Sequence, residues 1–111
     1  MVTLVHRLHQ HYRLVLCSNA LDTLRAGLEA QPALLSLFEA VIISAEVGLR
    51  KPDPRIFELT ARRLGLPLSA CLLIDDKARN TAAAQAAGMQ VITFVSLEQL
   101  RRELASRGLW L

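Results

Sequence analysis

Four short apolar runs, at 14–17, 40–43, 70–74 and 91–95, punctuate the chain, and between them hydrophobic positions recur every three or four residues. A short aliphatic run bounded by polar residues reads as a strand buried on both faces, and a three-to-four repeat reads as an amphipathic helix. Val5, Leu8 and Tyr12 set such a repeat over 2–12. A second helix is expected over about 20–30, and Pro32 opens a short one ending near Phe38. From Ala45 to Pro52, with Gly48 inside, the chain reads as irregular. Asp53-Pro54 starts the next helix, an N-cap acid followed by proline where an amide proton is not needed, and Gly65 stops it after Leu64. An alanine-rich helix spans about 78–87 and closes at Gly88. Ser96 and Gln99 carry a capping-box pattern for a last helix, and the apolar tail Gly108-Leu109-Trp110-Leu111 is expected to pack. Strands alternating this regularly with helices predict an α/β fold, a doubly wound parallel sheet of four strands with right-handed crossovers.

Composition narrows the picture. At 111 residues the chain is expected to form one domain, and 52% hydrophobic residues suit a sheet covered on both faces. No apolar run approaches the roughly 18 residues that would span a membrane. The opening Met1-Val2-Thr3-Leu4-Val5 meets His6 and Arg7 at once, unlike a signal peptide, so a cytoplasmic location is expected. Cys17 and Cys71 sit inside apolar runs without metal or redox spacing and read as core thiols with no disulfide. The net charge of +3 comes from eleven arginines and two lysines, scattered rather than clustered, so no nucleic-acid partner is expected. The doublets Arg62-Arg63 and Arg101-Arg102 read as solvated helix faces. His6 and His9 lie one turn apart, but with no third ligand nearby they too read as a solvated face.

The stretch with chemical content is Leu72-Leu73-Ile74-Asp75-Asp76-Lys77-Ala78-Arg79-Asn80. Here an apolar strand delivers two adjacent carboxylates to the carboxyl edge of the sheet, where open α/β folds bind ligands. Adjacent carboxylates repel, and a hard divalent cation such as Mg²⁺, which takes oxygen ligands, relieves the repulsion. The bland alternative is that Asp76 caps the next helix while Asp75 faces water. Ser18 follows the first strand, and Lys51 follows the second in the irregular stretch. In one parallel sheet these three points would share an edge. A hydroxyl, an ammonium and a carboxylate pair together describe a phosphate site.

These stretches carry a resemblance. Leu16-Cys17-Ser18-Asn19, Gly48-Leu49-Arg50-Lys51-Pro52-Asp53-Pro54-Arg55-Ile56-Phe57, Leu73-Ile74-Asp75-Asp76 with Asn80, and Ala86-Ala87-Gly88-Met89 follow one another as in the haloacid dehalogenase-like (HAD) hydrolase superfamily. The chain is most similar to its subgroup of small phosphatases and 2-haloacid dehalogenases. The resemblance implies a Rossmann-like core and a Mg²⁺-dependent phosphomonoester hydrolase type of chemistry on a small phosphorylated substrate. It implies that Ser18 and Asn19 bind phosphate, that Ser18 and Lys51 are catalytic with Lys51 also on the phosphate, that Asp76 with Asp75 holds the metal, and that Asn80 orients the loop.

One departure stands against that pattern. The family's nucleophile is the first member of an Asp-x-Asp pair at the end of its first strand, and the four aspartates here, Asp22, Asp53, Asp75 and Asp76, form no such pair. Asp22 is expected inside the helix after Ser18. The resemblance thus implies a partial core, 1–111, without the first, central strand and without the cap domain. Covalent phosphoryl transfer needs an attacking group, so the chain alone is expected to be inactive. Strands that should flank the missing one would present unpaired backbone, which predicts a homo-oligomer or a partner supplying a strand. The other readings are one part of a split hydrolase and a non-catalytic phosphate- or metal-binding or protein-interaction module. A receiver domain is disfavoured, because there the acid pair comes first and the lysine last.

Overall fold

The computed structural model describes residues 2–21 and 23–109. Asp22, and Trp110 and Leu111 of the apolar tail, lie outside the described residues. The fold falls into two compact units, residues 1–51 and 52–111.

In the first unit, α1 (Val2–His9) ends in a turn closed by the Tyr12 N–H donating to the Leu8 carbonyl at 2.8 Å. Val5, Leu8 and Tyr12 are half-buried, as their spacing predicts, and His6, His9 and His11 are exposed. Strand β1 (Val15–Ser18) runs parallel to β2 (Ala40–Ile43), with Val15 opposite Ala40 and Ser18 opposite Ile43. Between them the chain crosses over through α2 (Thr23–Glu29) and α3 (Pro32–Leu35). Ile42 and Ile43 are fully buried and Leu28 nearly so. After β2 the structure departs from the sequence expectation: the stretch that reads as irregular begins with a four-residue helix, α4 (Ser44–Val47). Gly48 closes it at φ +71°, its N–H donating to the Ser44 carbonyl at 3.0 Å. Arg25 on α2 bonds both α4 and β2, reaching the Glu46 carboxylate at 2.8 Å and the Val41 carbonyl at 3.1 Å.

In the second unit, α5 (Pro54–Leu64) starts and stops as its sequence dictates. The Asp53 carboxylate accepts from the Arg55 N–H at 2.9 Å, and Gly65 takes the left-handed conformation that ends the helix, φ +66°. Ile56, Phe57, Thr60 and Ala61 make its buried face. A 3₁₀ turn (Leu68–Ala70) takes Ala70, which the sequence assigns to the start of a strand, and β3 (Leu72–Asp75) extends one residue past the expected end. Helix α6 (Ala78–Ala87) leads to β4 (Gln90–Thr93), which runs parallel to β3 with Leu72 opposite Gln90 and Asp75 opposite Thr93. Helix α7 (Leu97–Ser106) is capped by the Ser96 hydroxyl, which accepts from the Gln99 N–H at 3.1 Å. The return bond from Gln99 goes to the Val95 N–H, one residue before the box pattern places it. Ile56, Phe57, Ala84, Ile92, Leu100 and Leu104 fill the core of this unit.

Among the described residues the four parallel strands pair two and two, β1 with β2 and β3 with β4, and no ladder joins one pair to the other. Neither cysteine is in a disulfide; Cys71 is buried, which raises its thiol pKa, and Cys17 is half-buried. No helix of the described residues is long and apolar enough to cross a membrane.

Candidate functional site

Each unit carries one group of the residues singled out in the sequence. In the first, β1 ends at Ser18, and Asn19 and Ala20 form the loop beyond it. The Asn19 side-chain amide closes on the peptide of Lys51: Oδ1 accepts from the Lys51 N–H at 2.8 Å, and Nδ2 donates to the Lys51 carbonyl at 2.9 Å. Both ends of the amide are therefore engaged by one residue 32 positions away. Ser44, the first residue of α4, makes the complementary contact. Its hydroxyl accepts from the Ala20 N–H at 3.0 Å and donates to the Ala20 carbonyl at 3.1 Å. Asn19, next to Ser18 at the end of β1, thus spends its amide on the Lys51 backbone. Ser44 is the residue that sequence reasoning missed. The only signal for it was a hydroxyl placed directly after a strand. Beside these contacts lies an open cavity of about 530 Å³, lined by Asn19, Leu21, Ser44, Leu49 and Arg50 among others.

In the second unit, the adjacent acids part company at the end of β3. Asp75, the last residue of β3, is buried, whereas Asp76 lies in the bend beyond the strand. Asp75 is 8% exposed, and its carboxylate accepts from the Lys77 N–H at 2.8 Å and from Asn80 Nδ2 at 3.2 Å. Asp76 is exposed. Asn80, in the first turn of α6, is 2% exposed, and its Oδ1 is buried with no hydrogen-bond partner. A buried amide oxygen without a donor is uncommon and marks a place for a ligand or water. Oxygens from an exposed carboxylate, a buried carboxylate and an orphaned amide are the donors that Mg²⁺ takes, and their chemistry fits that ion. Among the described residues no cluster of three or more His, Cys, Asp or Glu side chains is present.

Comparison with known proteins bears on both groups. The family model described as haloacid dehalogenase-like hydrolase matches residues 1–88. The chain is 35% identical over 98 residues to Phosphatase MT3486 of Mycobacterium tuberculosis, covering 85% of this chain and 45% of that protein. It is 37% identical over 71 residues to Protein CbbY of Rhodobacter capsulatus, covering 64% of this chain and 31% of that one. The chain therefore spans less than half the length of these curated relatives. Among solved structures, it is similar to the HAD family enzyme bt-2542 of Bacteroides thetaiotaomicron in complex with magnesium and inorganic phosphate. That match has a TM-score of 0.75 and 25% identity, over 89% of this chain and 55% of that one. An uncharacterized protein from Corynebacterium glutamicum shares the fold over 97% of this chain and 80% of its own, with a TM-score of 0.81 and 24% identity.

Proposed function

Because the chain belongs to the haloacid dehalogenase-like hydrolase family, we propose that it is the core portion of a Mg²⁺-dependent phosphomonoester hydrolase. The observation that carries this reading is the contact between Asn19 and the Lys51 peptide, which links the loop that follows Ser18 to the lysine. In this reading the Ser18 hydroxyl donates to a phosphoryl oxygen, and the Lys51 ammonium offsets the negative charge of the phosphoryl group. Asn19 contributes through the position of Lys51. Asp76, with Asp75 behind it and Asn80 orienting Asp75, would hold Mg²⁺. A Mg²⁺ held there would supply charge neutralisation to a phosphoryl group. Asp75, tied to the Lys77 amide and to Asn80, keeps the turn in shape so that the next carboxylate projects outward.

The 111 residues contain no Asp-x-Asp pair, so turnover requires a strand that carries one. That same feature favours a second reading, a non-catalytic module that binds phosphate or metal, and the two differ in what an added strand does. Titration of the chain with inorganic phosphate, followed by ³¹P NMR with and without Mg²⁺, tests the part they share. Saturable binding that weakens in Lys51→Ala supports the site. Phosphate that ignores both Lys51→Ala and Ser18→Ala would defeat it.

A further inference from the structure

We propose that Asn19 and Ser44 are a pair of positioning residues that set Ser18 and Lys51 for a shared phosphate, by gripping backbone rather than ligand. The proposal rests on the phosphate reading above and adds to it the device that holds the lysine in place. The two grips run in opposite directions. Asn19, on the loop after β1, reaches the peptide groups of Lys51; Ser44, at the end of β2, reaches back to the peptide groups of Ala20 in that same loop. The ladder explains how Ser44 gets there, because Ser18 stands opposite Ile43 and the next residue of each strand meets the other's exit. The Ala45 N–H adds a further bond to the Ala20 carbonyl, at 3.3 Å.

The residue types are those the geometry demands. A peptide group presents one donor and one acceptor, and a primary amide matches both, whereas a carboxylate offers two acceptors and would face the Lys51 carbonyl with repulsion. A hydroxyl donates once while accepting, which is what Ala20 receives from Ser44. Pro52 assists from the other side, since a residue before proline is confined to extended conformations. Lys51 is therefore restrained by its own sequence neighbour and by Asn19 together. The benefit lies in position: a lysine has four rotatable side-chain bonds, and a fixed backbone limits the region its ammonium samples.

The test is a double-substitution cycle on the 111-residue chain, read as affinity for inorganic phosphate. Lys51→Ala weakens binding in the otherwise native chain. In an Asn19→Ala background the same substitution is expected to cost about tenfold less, because a misplaced lysine has little left to lose. Effects that multiply independently would overturn the proposal. Asn19→Asp, which keeps size and the bond from the Lys51 N–H, should give an intermediate coupling, and it serves if the alanine variant folds poorly. Amide exchange at Lys51 judges the grip without any ligand. It should speed up in Asn19→Ala but not in Asn19→Asp, which keeps the bond from the Lys51 N–H, and it should speed up at Ala20 in Ser44→Ala; unchanged exchange in the two alanine variants would sink the idea. Failure of Lys51→Ala to affect phosphate at all would instead remove the phosphate reading, and with it the purpose assigned to the grip, while the exchange data would still report whether the grip exists.

Discussion

Asn80 donates from Nδ2 to Oδ2 of Asp75 across 3.2 Å, and the pair is buried. A carboxylate withdrawn from water needs donors, and Asp75 draws them from this amide and from the Lys77 N–H. Replacing Asn80 by alanine removes a bond to a charged group, so a loss of about 1–3 kcal/mol is expected in urea unfolding. Asn80→Asp should be worse near neutral pH, because it sets a second acceptor against the first. Its deficit should shrink as acid protonates one of the two. Equal stability of Asn80→Asp and native chain at pH 7 would show that Asp75 does not depend on this donor.

Two helix-ending glycines make a graded comparison. Gly65 sits at φ +66°, inside the left-handed region that other residues enter at about 1–2 kcal/mol. Gly88 sits at φ +115°, beyond it, where an added Cβ would meet the Leu68 Cβ at an ordinary 3.7 Å. Space is available at both positions, so backbone strain alone decides. Gly65→Ala should cost about 1 kcal/mol and Gly88→Ala more, toward the upper end of about 1–3 kcal/mol. Thermal unfolding that ranks them the other way would contradict the argument.

These glycines also mark what was legible in the sequence. Helix α5 lay open because its signals are local: Asp53, Pro54 and Gly65 act within a turn of themselves. Strand positions were off by one or two residues, since a run such as Ala70-Cys71-Leu72 reads the same whether it begins a strand or closes a 3₁₀ turn. Helix α4 was missed because four residues are too few to show a period. The grips of Asn19 and Ser44 join residues 32 and 24 apart, and no local pattern encodes such a contact. The division of the adjacent acids into one buried and one exposed depends on where β3 ends, at Asp75, and an apolar run leading into two acids does not say which of them closes the strand.

Acid should loosen the first unit through Glu46. Hydrogen bonds from Arg25, chiefly, hold the Glu46 carboxyl below its ordinary range, against the opposing effect of desolvation. A depressed folded pKa means that the contribution is present above the unfolded value, about 4.3, and is lost as pH falls through the folded one. Titration of the Glu46 carboxyl by ¹³C NMR should give a midpoint below that of Glu in a peptide, and Arg25→Ala should return it upward. An unmoved midpoint in Arg25→Ala would show that the ion pair does not operate in solution.

Mg²⁺ should bind weakly, and the two acids should answer differently to substitution. Asp76 is exposed and Asp75 holds the turn together. Asp76→Ala is therefore expected to reduce Mg²⁺ affinity at least about tenfold with little change in unfolding midpoint, since exposed substitutions rarely matter to stability. Asp75→Ala should lower both. Calorimetric titration beside urea unfolding checks the split, and a Mg²⁺ affinity untouched by Asp76→Ala would place the ion elsewhere.

Turnover by the 111-residue chain alone should not exceed background with p-nitrophenyl phosphate. Covalent phosphoryl transfer needs an attacking group held in line with the bond that breaks. Asp53 accepts from the Arg55 N–H as a helix cap and is bonded to the Arg55 guanidinium, and Asp75 is occupied by the Lys77 amide and Asn80. The edge of β3 turned away from β4 is where a supplied strand is expected to pair. The Gln90 N–H donates to the Cys71 carbonyl and the Phe94 N–H to the Asp75 carbonyl, so Cys71, Leu73 and Asp75 turn their backbone toward β4. By strand alternation Leu72 and Ile74 turn theirs to the opposite edge. A peptide with an apolar strand ending in Asp-x-Asp, added in excess, is expected to pair along that edge and bring Mg²⁺-dependent hydrolysis. Asp76→Ala and Lys51→Ala should each abolish the restored rate. A proline in place of Ile74 should block restoration while leaving the ladder to β4 intact, because the amide it removes faces away from β4. Hydrolysis by the chain without the peptide, lost in Lys51→Ala, would mean that one of its own side chains is the nucleophile and that the strand is not required.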